Sequence, residues 1–236
     1  MEKTLSLVSV ADTKIKETIQ ALKVSKDNVI CDSVLLITSK DINRKLIFNG
    51  LKVIKIPPIK SFKEYNNFII YELFKYIKSS HVLIIQWDGY IINSTKWDVK
   101  FLKYDYIGAP FIPRCNDEKY GKTLNGNFYS IGNGGFSLRS FKLLESPTKY
   151  KLRDNENITN NHEDGFFCVL HREFLEKQGL KWASFEIASE FAIESPISFK
   201  EFVNLPFGFH GKKMLLILRF IKPLHFLIAR ISNLLI

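Results

Sequence analysis

The residue best placed to do chemistry is Asp88, which lies just past the apolar run HVLIIQ (residues 81–86), between Trp87 and Gly89. A carboxylate there points beyond a strand end, and the glycine lets a ligand approach the backbone. A hard cation such as Mg2+ or Mn2+ takes oxygen ligands, and few need come from protein when a diphosphate supplies others. The same Asp-Gly also serves as an ordinary turn. Gly132-Asn133-Gly134-Gly135 is neither a dinucleotide fingerprint nor a P-loop. Its glycines allow close approach and Asn133 can bond a sugar hydroxyl, although a tight hairpin would use the same residues. Glu163-Asp164 falls at an expected helix start, where the positive dipole end favours acids and should keep their pKa low. An ionised carboxylate there can take a proton from an attacking hydroxyl. His210, between Phe209 and Gly211, is a candidate metal ligand.

Other chemistries lack their patterns. Cys31, Cys115 and Cys168 are widely spaced with no C-x-x-C pair, and read as reduced thiols. His81, His162, His171 and His225 have no zinc spacing. No G-x-S-x-G occurs, and Cys168 falls on an apolar helix face, so an acyl-enzyme has no support.

These residues need a scaffold. Residues 4–10, 33–39, 51–56 and 81–86 read as strands, apolar enough in places to be buried on both faces. Asp12 is placed to cap a helix bearing Ile15, Ile19 and Leu22. Ser61 and Glu64 fit a capping box opening a second helix, with Phe62, Tyr65, Phe68, Ile69, Leu73 and Tyr76 inward. The alternation predicts an α/β fold, a mostly parallel doubly wound central sheet with helices on both faces, and a ligand crevice at the carboxyl ends of its strands. Further on, residues 106–108, 128–131 and 136–138 read as short strands, 109–127 as a long polar loop, and 146–162 as an Asn-rich mobile segment. A helix is expected from Glu163 to Gln178, capped by Asn161 and stopped by Gly179.

With 46% apolar and 25% charged residues, disorder, collagen and a disulfide scaffold are excluded. The net charge is +10, and Lys212, Lys213, Arg219, Lys222 and Arg230 crowd into residues 212–236 without one acid. On a helix, Lys212, Arg219, Lys222, Arg230 and Asn233 form one stripe against an apolar remainder, kinked at Pro223. This basic amphipathic tail suits an anionic membrane surface; the competing reading docks it on the core or on a second subunit, making an oligomer. The N-terminus lacks the apolar core of a signal peptide and no apolar run is long enough to span a bilayer. The expectation is a cytoplasmic protein, peripheral at the inner face of the membrane through its tail.

Taken in order, Gln86-Trp87-Asp88-Gly89, Tyr104-Asp105-Tyr106-Ile107-Gly108, Gly132-Asn133-Gly134-Gly135-Phe136-Ser137-Leu138-Arg139-Ser140, Glu163-Asp164 and Phe207-Gly208-Phe209-His210-Gly211 resemble an uncharacterised glycosyltransferase-like family of microbial surface-polysaccharide loci. More broadly they are similar to GT-A nucleotide-sugar transferases. The resemblance implies a GT-A-like catalytic domain over residues 1–211, followed by the tail 212–236. It implies metal-assisted, inverting transfer from a nucleotide-diphosphate sugar, taken as a UDP-sugar, to a glycan or lipid-linked acceptor, as in polysaccharide or lipopolysaccharide synthesis. Asp88 matches the last Asp of the Asp-x-Asp metal motif, with Gln86 replacing the first, and His210 matches the late metal ligand. Gln86, Asn133, Gly134, Gly135 and Arg139 fall in the substrate-lining stretches. Asp164, or failing it Glu163, matches the catalytic base.

Two other readings compete. A metal-dependent phosphoesterase or nuclease would use Asp88, Glu163, Asp164 and His210, but wants two metals and more carboxylates. A nucleic-acid-binding module would interleave its basic residues with aromatics across a face; here they concentrate in the tail, and no nucleic acid is expected as partner.

Overall fold

The computed structural model describes residues 4–110, 131–194 and 204–218. Short runs rich in Val, Ile and Leu form β1 (Leu5–Val10), β2 (Ser33–Thr38), β3 (Leu51–Lys55) and β4 (His81–Ile85). β5 (Tyr90–Ile91), β6 (Tyr106–Gly108), β7 (Phe136–Ser140), β8 (Ala192–Ile193) and β9 (Gly208–Phe209) follow. The helices are α1 (Ile15–Lys26), α2 (Phe62–Tyr71), α3 (Phe141–Lys149), α4 (Glu156–Thr159), α5 (Glu163–Gly165), α6 (Arg172–Lys177) and α7 (Phe185–Phe191).

The main sheet runs β3-β2-β1-β4-β7-β6, and a small sheet runs β5-β9-β8. β3, β2, β1 and β4 are mutually parallel, while β7 runs antiparallel to both neighbours. Side chains alternate between two cores, as the period of two requires. Leu7, Leu36 and Leu83 pack with Ile19 and Leu22 of α1. Val8, Leu35 and Ile84 pack on the other face with Ile69 of α2 and Leu144 of α3. The expected α/β class, with a mostly parallel sheet and helices on both faces, is therefore the one observed.

The single reversed strand matters most for the site. Because β7 is antiparallel, its first residues lie beside the carboxyl end of β4: Ile85 pairs with Phe136, and the Gln86 N–H donates to the Gly135 carbonyl at 2.9 Å. The small sheet then delivers two chain ends to the same place, since Tyr90 and Ile193 both pair with Phe209.

Several local expectations change. Asp12 does not cap α1, whose N-cap is Lys14 in a left-handed conformation. Its carboxylate instead accepts from Thr38 Oγ1, Ser39 N, Ser39 Oγ and Ile59 N, all at 2.7–2.9 Å. Four donors outcompete the one a cap would offer, and they tie the ends of β1 and β2 to the segment after β3. Ser61 does cap α2, accepting from Glu64 N, but α2 gives way to a 3-10 turn at Leu73–Tyr76 and Phe62 is half exposed. The segment expected to be mobile is folded: its first residues end α3 and it contains α4. The helix expected over 163–178 is α5, a π-helical turn at Phe166–Leu170, and α6. Its cap is His162; Asn161 has a φ of 59° and cannot take the extended cap conformation, while Gly179 at φ 81° closes it as expected.

Cys31 and Cys168 are free thiols. Cys115, the polar loop from residue 111 and the start of the expected strand 128–131 lie outside the described residues. Residues 212–218 are helical, with Met214 and Leu218 buried against Ile193 and Phe209. Arg219, Lys222, Pro223, Arg230 and Asn233 also lie outside the described residues. Among the described residues, no helix is long and apolar enough to cross a membrane.

Candidate active site

The turns after β1 and β4 and the approach to β7 enclose a crevice at the carboxyl end of the sheet, where such sheets hold ligands. One lobe, about 310 Å³, is lined by Gln86, Asn133, Gly134, Gly135, Glu163, Asp164, Glu194 and His210. A second lobe of about 380 Å³, lined by Asp12, Thr13, Lys60 and Trp87, shares Phe62, Tyr65 and Gln86 with it. Eight of the nine residues picked from the sequence thus meet at one place once Asp88, buried against His210, is counted. Arg139 does not.

Arg139 is fully buried and cannot touch a substrate. Its Nη2 donates to Glu163 Oε2 at 2.8 Å and its Nε to Ser137 Oγ at 3.0 Å, with the guanidinium 5.1 Å from the Tyr106 ring and 5.6 Å from the Phe167 ring. The resemblance put it in a substrate-lining stretch, and that expectation is corrected: the residues that enclose its guanidinium, Glu163, Tyr106 and Phe167, lie on other segments, so no pattern local to β7 records its burial. Glu163, only 4% exposed, is committed to this pair.

The expected low pKa of the two acids is also corrected. Burial is the dominant influence and raises both, outweighing Arg139's pull on Glu163 and the Gly165 N–H on Asp164. A three-residue α5 has little dipole to offer, whereas loss of water acts fully on a carboxylate. Both residues line the lobe, although adjacent positions on a regular helix would diverge. Asp164 accepts from the N–H groups of Gly165 and Gly134.

The glycines have a different use from the one their spacing suggests. A Cβ at Gly134 would fall on Glu163 Oε1, and one at Gly135 on His210 Nε2. They make room for catalytic-type side chains rather than for ligand alone. Asn133, at φ 48°, donates its side-chain amide to Glu194 Oε2.

Glu194 escaped the sequence reading. Whereas Asp88 stands three residues beyond the five-residue apolar β4, Glu194 follows directly on β8, whose two residues are too few to show as a strand in the sequence. It begins a network in which Glu194 Oε1 lies 3.2 Å from His210 Nδ1, His210 Nε2 lies 3.2 Å from Gln86 Oε1, and Gln86 Nε2 donates to Tyr65 Oη at 3.0 Å. His210 Nε2 is also 3.5 Å from Asp88 Oδ1. Burial would lower the His210 pKa, but the Asp88 and Glu194 carboxylates prevail and lift it to about 9. His210 is therefore an imidazolium at neutral pH when no cation is bound.

Four carboxylates, Asp88, Glu163, Asp164 and Glu194, face two cations, Arg139 and His210. Asp88 Oδ1 is buried without a hydrogen-bond partner. Excess negative charge and a buried carboxylate oxygen that accepts no hydrogen bond fit a hard cation. Among the described residues no group of three or more His, Cys, Asp or Glu side chains is arranged to hold a metal ion, so a cation here would need ligands from its substrate.

This chain belongs to the family described as "Protein of unknown function (DUF5672)", whose model matches residues 50–210. No curated protein matches it. Among solved structures it is similar to the galactosyltransferase LgtC in complex with donor and acceptor sugar analogues, at 12% identity and a TM-score of 0.49, covering 88% of this chain and 87% of that one.

Proposed function

We propose that this protein is a glycosyltransferase with a GT-A-like catalytic unit in residues 1–211. It moves a sugar from a nucleotide-diphosphate donor to a hydroxyl of a glycan or lipid-linked acceptor, with inversion. The observation that carries this reading is the convergence of Asp164, Asp88 and His210 on one crevice at the carboxyl end of the parallel strands. Asp164 is the base. It takes the proton of the acceptor hydroxyl as its oxygen attacks, and the N–H groups of Gly134 and Gly165 hold the carboxylate in place. Glu163 leaves that role, because its charge is matched by Arg139; it anchors the turn that presents Asp164. Asp88 and His210 would hold Mg2+ or Mn2+, which when bound neutralises charge on the leaving diphosphate. Gln86 is fixed by Tyr65 and His210, ready to bond the donor. Asn133, whose amide nitrogen donates to Glu194, bonds a sugar hydroxyl through its side-chain carbonyl oxygen.

The test is hydrolysis of UDP-, GDP- and CMP-sugars by the purified protein, in Mn2+ and in EDTA. A UDP-sugar consumed in Mn2+ alone is the expected result. Equal rates in EDTA would remove the metal from the reading, a product of retained configuration would remove inversion, and no consumption of any donor would remove the transferase.

A further inference from the structure

We propose that a second cavity, between α1, residues 44–48 and the helical residues 212–218, docks this protein on an anionic phospholipid bilayer. The inference does not rest on the sugar-transfer reading. The groove holds about 800 Å³ and is separated from the crevice by Trp87, which lines both. Lys14 Nζ and Lys212 Nζ stand 5.6 and 5.5 Å from the Trp87 ring.

Its chemistry is amphipathic. Lys16, Gln20 and Lys23 of α1 line it, and their spacing of four and three residues puts them on one helix face. Lys45 lines it from the 3-10 turn at Arg44–Leu46, and Glu17 is the one acid among the lining residues. The apolar lining includes Phe48 and Leu215, and two large aliphatic side chains stand out into solvent nearby: Ile47, 42% exposed, and Leu216, 57% exposed. Lys212 and Lys213 on the same helix as Leu216 are exposed too.

Lysines around exposed aliphatic side chains match the layered chemistry of a bilayer surface, phosphate outside and acyl chain beneath. A soluble anion would use the lysines and leave Ile47 and Leu216 without purpose. The chain continues past residue 218 with Arg219, Lys222 and Arg230 and no acid, so the sequence that follows carries charge of the same sign. Docked this way, the crevice beyond Trp87 would open close to the membrane, within reach of a lipid-linked acceptor.

The experiment is co-sedimentation of the full chain with vesicles of phosphatidylcholine alone and of phosphatidylcholine with phosphatidylglycerol, at low and high salt. Binding to the anionic vesicles that weakens with salt is expected. Replacing Lys16, Lys23 and Lys45 together by Gln should weaken it about a hundredfold, since each lysine near such a surface contributes about 1 kcal/mol. These side chains are exposed, so the melting temperature should hold. A parallel Arg219→Gln, Lys222→Gln, Arg230→Gln variant separates the groove from the following segment. Undiminished binding by the α1 and Lys45 variant, binding that only the second variant loses, or equal binding to neutral vesicles would each overturn the proposal.

Discussion

The two ends of the central sheet both carry a cavity, a histidine and an aspartate, yet they differ in one respect. At the amino end a cavity of about 520 Å³ is lined by His81, Asp105 and Ser140. There every demand is met: His81 Nδ1 pairs with Ser80 Oγ at 3.0 Å and Nε2 with the Tyr104 carbonyl at 3.3 Å, while Asp105 accepts from Ser140 Oγ at 2.5 Å and Lys181 N at 2.8 Å. At the carboxyl end the lobe is smaller, but Asp88 Oδ1 and, behind it, Arg139 Nη1 are buried without a hydrogen-bond partner. Buried polar atoms are normally satisfied, and an exception asks for an explanation. Unmet polar demand, rather than cavity size or residue type, marks the end where a ligand belongs.

The sharpest way to break this contrast is Asp88→Ala. Turnover should be lost while the fold is kept; the melting temperature at neutral pH should fall only modestly, because Asp88 helps hold His210 protonated but Glu194 continues to do so. A variant that melts far lower with its activity intact would make Asp88 a structural residue, like Asp105.

Asp164→Asn is next. Loss of a proton acceptor typically costs about 10²–10⁴-fold in rate. Burial raises the Asp164 pKa, so the native rate should climb with pH through an apparent pKa above the ordinary carboxylate range, and the variant's residual rate should lack that step. The sign for stability is opposite. A carboxyl whose folded pKa is raised costs folding free energy as pH rises from its unfolded value through its folded one. The Asn variant should therefore melt higher than native at neutral pH. Native turnover in Asp164→Asn, measured on whichever donor the protein hydrolyses, would return the base role to Glu163 or elsewhere.

Arg139→Met probes the same end from behind. Removing one partner of a buried pair strands the other, at a cost of about 3–5 kcal/mol. Adding Glu163→Gln should recover part of that, which denaturant titration of both variants would read. No recovery in the double variant would mean that Arg139 acts through its packing on Tyr106 and Phe167 rather than through its charge.

The two ends were also unequally legible. The parallel strands announce themselves by apolar runs whose alternation assigns Leu7 and Val8 to opposite cores, and Asp88 is visible because it follows one of them. Gly134 and Gly135 are visible as glycines, but the side chains they admit come from residues 163 and 210, and no local pattern records that. Asp12 looks like a cap because caps are local; its four donors come from strands and turns that fold places beside it. Glu194 follows a strand of two residues, too short to show periodicity. Burial of Arg139 depends on Phe167 and Glu163, far along the chain. Where a role is set by neighbours in sequence it can be read directly, and where it is set by the return of a distant segment it cannot.

The smallest expected effect tests the satisfied end. Ser140 caps α3 by accepting from Leu143 N at 3.0 Å and donates to Asp105 Oδ1. Ser140→Ala removes both bonds. Loss of the cap costs about 1 kcal/mol. Asp105 is half-buried, so water can replace the hydroxyl there and the second loss should be smaller than that of a fully buried bond. A total of about 1–2 kcal/mol follows, read as a lower urea midpoint with an unchanged slope. Turnover should be native, because Ser140 sits at the far end of β7 from Gly134 and Gly135, which line the crevice. If instead turnover drops as far as in Asp164→Asn while the urea midpoint stays put, the amino-end cavity is not the satisfied, structural region its hydrogen bonds make it.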